Sequence, residues 1–376
     1  MSPSAPKPST QKLSPSPLNP IKSLWVGASW DDLPGFHEQP ISTLWDTLLT
    51  LCEQAHSSYG VFCQDLRPMS LASEDEQRIW LMSHLQPYRV QSLEGESVGL
   101  LTSYYEPTLN ASLTPNETFK YPLYAPPTSW GSSMKPGQPW FTRREIESAK
   151  APMQELKGRE IAWLSDPLDV MIVHVQGSAH LLVRQASGQL QHFRASFAAS
   201  NEQPYQSMAR WMLEQGLTKD ASWSGLRASL KANPERAQEA FWSNPRYIFF
   251  GLTPLPGGTN NDAQGGFSPM SPVSPVSPIG FVGSMGTPGP IGAWGVSLQP
   301  MASVAIDPLS VPLGSALWLS SPTLRPPLNR MVLAQDTGGA INGAVRADLF
   351  AGSGDAAGDW ANQIKHPLRL WVLWPR

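Results

Sequence analysis

Apolar positions recur at two different periods along the chain, and the change of period divides it. Ile41, Leu44, Trp45, Leu48, Leu49, Cys52 and Ala55 fall at helical spacing, which predicts an amphipathic helix. Ser73-Glu-Asp-Glu76 is a start signal for a second helix, which carries Ile79, Trp80, Met82 and Leu85 and is stopped by Pro87. From Val90 onward the apolar runs are short and strand-like. Residues 99–107 form one such run, with Tyr104, Tyr105 and the carboxylate of Glu106 at its end. Residues 170–175 and 180–183 read as strands on either side of a bend at Gln176-Gly-Ser178-Ala179. Helices are predicted at about 205–215, 223–232 and 234–242, and a strand follows at 244–250. The block from Gly289 to Trp318 has short apolar runs with glycine and proline corners, in the manner of a small closed barrel.

Two stretches stand outside this pattern. The first 35 residues have linker composition, with no apolar core of a secretion signal and no lipid-accepting cysteine. Taken alone, that start reads as the start of a soluble cytoplasmic protein. Between residues 252 and 288 lies a proline-rich insertion whose centre, Ser268 to Ile279, repeats Ser-Pro-Xaa. Proline at every third position predicts a solvated, polyproline-like spacer.

Composition narrows the function classes. A length of 376 residues favours two domains over one. A net charge of −3 with 15% charged residues provides no basic stripe for nucleic acid. No apolar run approaches the ~18 residues of a membrane span. Cys52 and Cys63 are too few for a zinc site, and a disulfide and two buried thiols both fit them. Many of the 15 tryptophans suit a core, and some suit stacking on sugar rings.

The candidate chemistry concentrates at Met331–Phe350. An apolar run delivers Asp336, Gly338 and Gly339 allow a tight turn or close approach, and a second apolar segment contains Asp348. Apolar neighbours push the Asp348 carboxyl toward its neutral form, as a general acid requires. Asp336-Thr-Gly also spells the aspartic-protease tripeptide, but that chemistry needs two such aspartates sharing a proton, hence a symmetric dimer. As a bland alternative, both aspartates are turn-formers bonded to nearby amides.

The same stretch resembles the signature of the 3D domain of the membrane-bound lytic murein transglycosylase A family. Other segments resemble that family in order. Ser103-Tyr-Tyr-Glu106-Pro is similar to its Gly-Tyr-Tyr-Glu-Pro, and Gln176-Gly-Ser178-Ala to its Gln-Gly-Ser-Gly. Phe197 to Tyr205, with Asn201, resembles a Tyr-Ala-Gly-Xaa-Asn-Gly-Xaa-Pro-Tyr loop, and Asn244-Pro-Arg-Tyr-Ile-Phe-Phe250 resembles Asn-Pro-Ser-Tyr-Val-Phe-Phe. Asp307, Asp336 and Asp348 match the three aspartates of the domain.

The resemblance implies a mainly β protein with peripheral helices. A double-psi β-barrel domain, residues 36–120 and 252–376 with the 3D signature at 289–376, would carry an inserted β-rich domain at 121–251. It implies cleavage of the MurNAc–GlcNAc β-1,4 bond of peptidoglycan to 1,6-anhydro ends, with Asp348 as general acid/base and Asp336 supporting it. Gln176, Ser178, Tyr105, Glu106, Asn201, Tyr205 and Asp307 become the substrate-binding candidates, with no metal and no cofactor. A periplasmic or cell-wall location, peripheral to the outer membrane, and a monomer acting on glycan strands follow from the same source. A non-catalytic wall-polysaccharide-binding barrel is the alternative.

Overall fold

The structure, a computed structural model, describes residues 20–53, 57–130, 138–255 and 289–376. The N-terminal tail as far as residue 19 and the Ser-Pro repeat lie outside the described residues. Among those described, no helix is long and apolar enough to cross a membrane.

The described strands outside 107–255 build one sheet. Its strands are β1 (Leu24–Gly27), β2 (Leu85–Gln91), β3 (Gly99–Glu106), β10 (Ser303–Ala305), β11 (Ala316–Ser321), β12 (Leu328–Asp336), β13 (Arg346–Ser353) and β14 (Lys365–Pro375). Hydrogen bonding runs β14–β11–β12–β10–β13–β3, and β3 pairs back to β14, so six strands form a ring, with β2 and β1 continuing beyond β14. Two contacts in the ring are parallel, β10 with β12 and β13 with β3. Gly99 permits the second: a Cβ there would lie 1.7 Å from the Val345 carbonyl oxygen.

Alternation explains why β11 is buried on both faces. Leu317 and Leu319 point into the ring with Val304, Val332 and Val372. Ala316 and Trp318 point outward into a second core, shared with Trp45, Leu48 and Leu81 of the helical layer. That layer is α1 (Ile41–Leu49), α2 (Cys63–Met69) and α3 (Glu74–His84), the last opened by the expected Ser73/Glu76 capping box. A disulfide joins Cys52 and Cys63. Between them the buried Tyr59 hydroxyl donates to Leu373 O and accepts from Ala316 N, tying the layer to the gap between β11 and β14.

At Pro107 the chain leaves the ring for a second sheet, ordered β4 (Thr108–Ala111), β7 (Ser178–Arg184), β8 (Leu190–Ser200), β9 (Ile248–Pro254). Thr108 to Ala111 of β4 pair in parallel with His180 to Val183 of β7, so the chain joins the second sheet directly after β3. An antiparallel pair of strands, β5 (Tyr121–Tyr124) and β6 (Glu160–Leu164), lies beside it. The insert's helices are α4 (Arg143–Ser148), α5 (Lys150–Leu156), α6 (Pro167–Gln176), α7 (Met208–Glu214), α8 (Trp223–Ala232) and α9 (Ala237–Trp242); α10 (Asp355–Ala361) follows β13.

The expectation of a strand at 170–175 is wrong, because α6 spans it. Its apolar run is continuous because Leu168, Met171 and Ile172 pack on one set of helices while Val170 and Val173 pack on the sheet. A helix buried on two sides loses the periodic polar face that sequence patterns depend on. Its ends carry ordinary signals: Asp166 accepts from Leu168 N, Pro167 opens the first turn, and Gly177 closes it at φ 81°.

One buried ion pair spans the two sheets. Arg194 on β8 donates through Nε to Glu106 Oε1 at 2.7 Å and through Nη2 to Oε2 at 3.1 Å. Ser353 Oγ adds a third donor to that carboxylate, and Gly289 O accepts from Arg194 Nη1. The Glu106 side chain is 0% exposed and that of Arg194 is 10% exposed. Glu106→Ala strands a buried cation and is expected to cost about 3–5 kcal/mol in chemical denaturation. Glu106→Leu combined with Arg194→Met should recover most of that loss; equal losses in the single and double variants would show that packing, not charge pairing, dominates.

Candidate active site

Strand register assembles the site. Ala305 of β10 pairs with Asp336 of β12 on one side and Asp348 of β13 on the other. The two aspartates therefore lie two interstrand spacings apart, roughly 10 Å between Cα atoms. On the far side of β13, Asp348 pairs with Thr102 and Phe350 with Tyr104 of β3.

Asp348 receives a short hydrogen bond at Oδ1 from the Thr102 hydroxyl. That hydroxyl accepts from Arg346 Nη2 at 2.7 Å, and Arg346 Nη1 donates to Ala347 O at 2.6 Å. The order guanidinium, hydroxyl, carboxylate leaves Thr102 one direction in which to donate. Burial raises the Asp348 carboxyl above its ordinary range, the Arg346 charge and the Thr102 bond oppose the rise, and the charge of Asp336 adds to it. The side chain lies deep among protein atoms yet keeps a partly accessible surface.

Asp336 is held differently. Tyr104 Oη donates to its Oδ2 at 2.7 Å and Ala293 N to its Oδ1 at 3.0 Å. Burial raises this carboxyl as well, while those donors and the Thr337 amide pull it down. Tyr104 packs at 5.3 Å on Phe350, and its hydroxyl is pushed well up by burial and then by the charges of Asp336 and Asp348. It remains a donor throughout the working range.

The insert supplies the facing wall. The Tyr205 hydroxyl is raised by burial and also by the negative charge of Asp348, which places it within electrostatic reach. Arg246 packs over Gly339, its Cζ 3.3 Å from where a Cβ would sit, and donates to Gln203 O. The cleft thus runs between the Asp336–Asp348 strands and the segments carrying Tyr205 and Arg246.

The remaining predicted site residues are spread around this cleft. Gln176 Oε1 accepts from Tyr105 N, and the Tyr105 ring lies against Gly358 of α10, on the opposite face of β3 from Thr102 and Tyr104. Ser178 is buried at the start of β7, opposite Ser196. Glu106, Asn201 and Asp307 are not brought to the cleft surface; they are 0%, 0% and 3% exposed. Asn201 clamps the carbonyls of Phe141 and Pro245 and the amide of Tyr247. Asp307 accepts from Leu309 N, Gly343 N and Lys22 Nζ, which anchors the loop between Asp336 and Asp348. Sequence reasoning missed Thr102, Tyr104, Arg346 and Arg246. Period-two alternation places Thr102 and Tyr104 on one face of their strand, but their pairing with β13 is not written in the sequence.

Because Thr102 stabilises the charged form of Asp348, Thr102→Val should raise the Asp348 pKa further, and Arg346→Met should raise it too. Carboxyl ¹³C titration of aspartate-labelled protein measures this directly; an unchanged or lowered midpoint would remove the relay from Arg346 through Thr102 to Asp348.

Two family models match the chain: the MltA specific insert domain over residues 100–251 and the 3D domain over residues 302–374. Membrane-bound lytic murein transglycosylase A of Vibrio cholerae is 28% identical over 284 residues, covering 73% of this chain. The chain spans 65% of that relative's own length. A membrane-bound lytic murein transglycosylase of Agrobacterium tumefaciens, 24% identical, superposes with a TM-score of 0.71 over 93% of this chain and 97% of that one. MltA of Escherichia coli with bound chitohexaose, 22% identical, gives 0.63 over 89% and 90%. With the insert domain and the 3D domain following one another as they do here, the chain belongs to the membrane-bound lytic murein transglycosylase A family.

Proposed function

We propose that this protein is a peptidoglycan lytic transglycosylase that cleaves the MurNAc–GlcNAc β-1,4 bond and leaves 1,6-anhydro-MurNAc ends. The observation that carries the reading is Asp348: a carboxyl whose pKa burial pushes upward, bonded by one hydroxyl, and still partly accessible beside the cleft. The relatives named above point to the same substrate class, and the chitohexaose of the Escherichia coli structure is a β-linked N-acetylglucosamine chain of the kind such a cleft would hold.

In this reading neutral Asp348 gives its proton to the glycosidic oxygen as the C1–O bond breaks. The carboxylate so formed takes the proton of the sugar's own C6 hydroxyl, whose oxygen bonds to C1. The proton count closes, no water is consumed, and Asp348 returns to its starting form. Intramolecular attack removes the need for a second carboxylate as nucleophile or base. Asp336 is then a positioning residue that holds Tyr104 and contributes negative charge. Tyr205 and Arg246 would orient the glycan from the insert side. Two parallel contacts within a six-strand ring support the double-psi barrel reading of the larger lobe. The Cys52–Cys63 disulfide supports action in an oxidising compartment such as the periplasm.

Asp348→Asn should reduce muropeptide release from purified sacculi by roughly 10²–10⁴-fold, with sacculus binding and fold retained. Activity near that of the unaltered chain would take Asp348 out of the mechanism; binding with no cleavage by the unaltered chain would make it a wall-binding module. Digestion in ¹⁸O-water reads the product itself. Unlabelled anhydro ends are expected, whereas label at C1 of a reducing end would make the enzyme a hydrolase and give Asp336 a direct chemical role.

A further inference from the structure

A cavity of about 270 Å³ lies within the insert, bounded by β5, α4, α5, α6 and α9. Thr102, Tyr104, Tyr205, Arg246, Asp336 and Asp348 are all absent from its wall. It backs onto the cleft through one segment: Arg246 reaches Gly339 on the cleft side, while the next residue, Tyr247, lines the cavity.

The charges in the wall satisfy one another. Arg143 donates to Glu147, to the carbonyls of Asn244 and Arg246, and to His174. Glu147 accepts from Arg143, Gln238 and Trp242. A phosphate or carboxylate ligand would therefore find the wall's one cation already committed, and an ammonium would find a carboxylate carrying three donors. The wall otherwise contains Tyr121, Tyr124, Tyr247 and Gln238, set against Ile146, Met171 and Phe241. The Tyr124 hydroxyl, pushed up to about 12 by burial and by the charges of Glu160 and Glu147, stays a donor at any working pH.

A neutral ligand with an apolar face and several hydroxyl or amide groups matches this wall. The volume, about 270 Å³, lies just below the ~300 Å³ at which ligand sites usually begin, so it suits one ring and not a strand. We infer that the cavity is a second carbohydrate site, taking a single N-acetylhexosamine residue of a glycan while another strand occupies the cleft. This rests on the proposed function for the choice of sugar, and on the wall chemistry for the site itself.

The test uses the full chain carrying Asp348→Asn and methyl-¹³C methionine, titrated with chitobiose, because Met153 and Met171 both line the cavity. Saturable shifts of both methyl signals are expected. Tyr124→Phe should weaken the binding roughly threefold to tenfold, the value of one hydrogen bond. Met153→Trp, placed at the exposed rim, should abolish the shift at Met171. Unmoved signals at Met153 and Met171 overturn the inference, as do shifts that survive both substitutions. Movement with phenol but not with chitobiose overturns it in favour of a small aromatic ligand. If the chain with native Asp348 releases no muropeptides while the methionine shifts persist, the proposed function falls and the sugar site stands. Muropeptide release with silent methionines removes the sugar site and leaves the proposed function in place.

Discussion

The buried pair Glu106–Arg194 is the constraint that fixes one lobe against the other. Its carboxylate ends β3, which carries Thr102 and Tyr104 to the site, and its guanidinium stands on β8, whose far end leads into the Asn201–Tyr205 wall. An ion pair removed from water is a poor source of stability but a strict source of geometry, because separating the partners leaves a buried charge uncompensated. Ser353 at the end of β13 bonds the same carboxylate, so the strand bearing Asp348 is referenced to the same point. Both walls of the cleft are thus positioned from one buried charge.

Within that frame two aspartates on neighbouring elements receive opposite treatment. Asp336 has a phenol and a backbone amide assigned to it, which leave its oxygens little freedom. Asp348 has one hydroxyl, itself oriented by Arg346, and keeps a surface that the cleft can reach. Burial raises both carboxyls, so the separation of roles rests on hydrogen bonding more than on depth.

Much of this is legible in the sequence where the signal is local. The capping box at Ser73, the helices near 208–214 and 223–232, and the paired aspartates around a glycine turn all depend on neighbours in the chain. What is not legible depends on contacts far apart in sequence. The run at 170–175 has the look of a strand because α6 is covered on two sides. Glu106 and Asp307 resemble cleft carboxylates because nothing local announces Arg194 or the Gly343 amide as their partners. Thr102 and Tyr104 acquire a role only through pairing with a strand more than two hundred residues away. Arg246 stands where the family pattern has a serine, a difference whose meaning appears only once Gly339 is seen beneath it. The cysteines are ambiguous by composition and are decided by proximity.

β14 is the last of the described strands, yet it hydrogen-bonds to β2, β3 and β11. Until it is in place, three strand edges from distant parts of the sequence have unpaired amides and carbonyls. The ring cannot be assembled piecemeal as the chain is made, whereas the insert, whose strands all lie between residues 108 and 254, can. The two lobes should therefore mature at different times, the insert first, with the ring waiting on long-range pairing that is intrinsically slow. A chain stopped before Lys365 would keep its inner lobe and present the remaining edges to any neighbour, which makes the final strand a guard against self-association as much as a part of the wall.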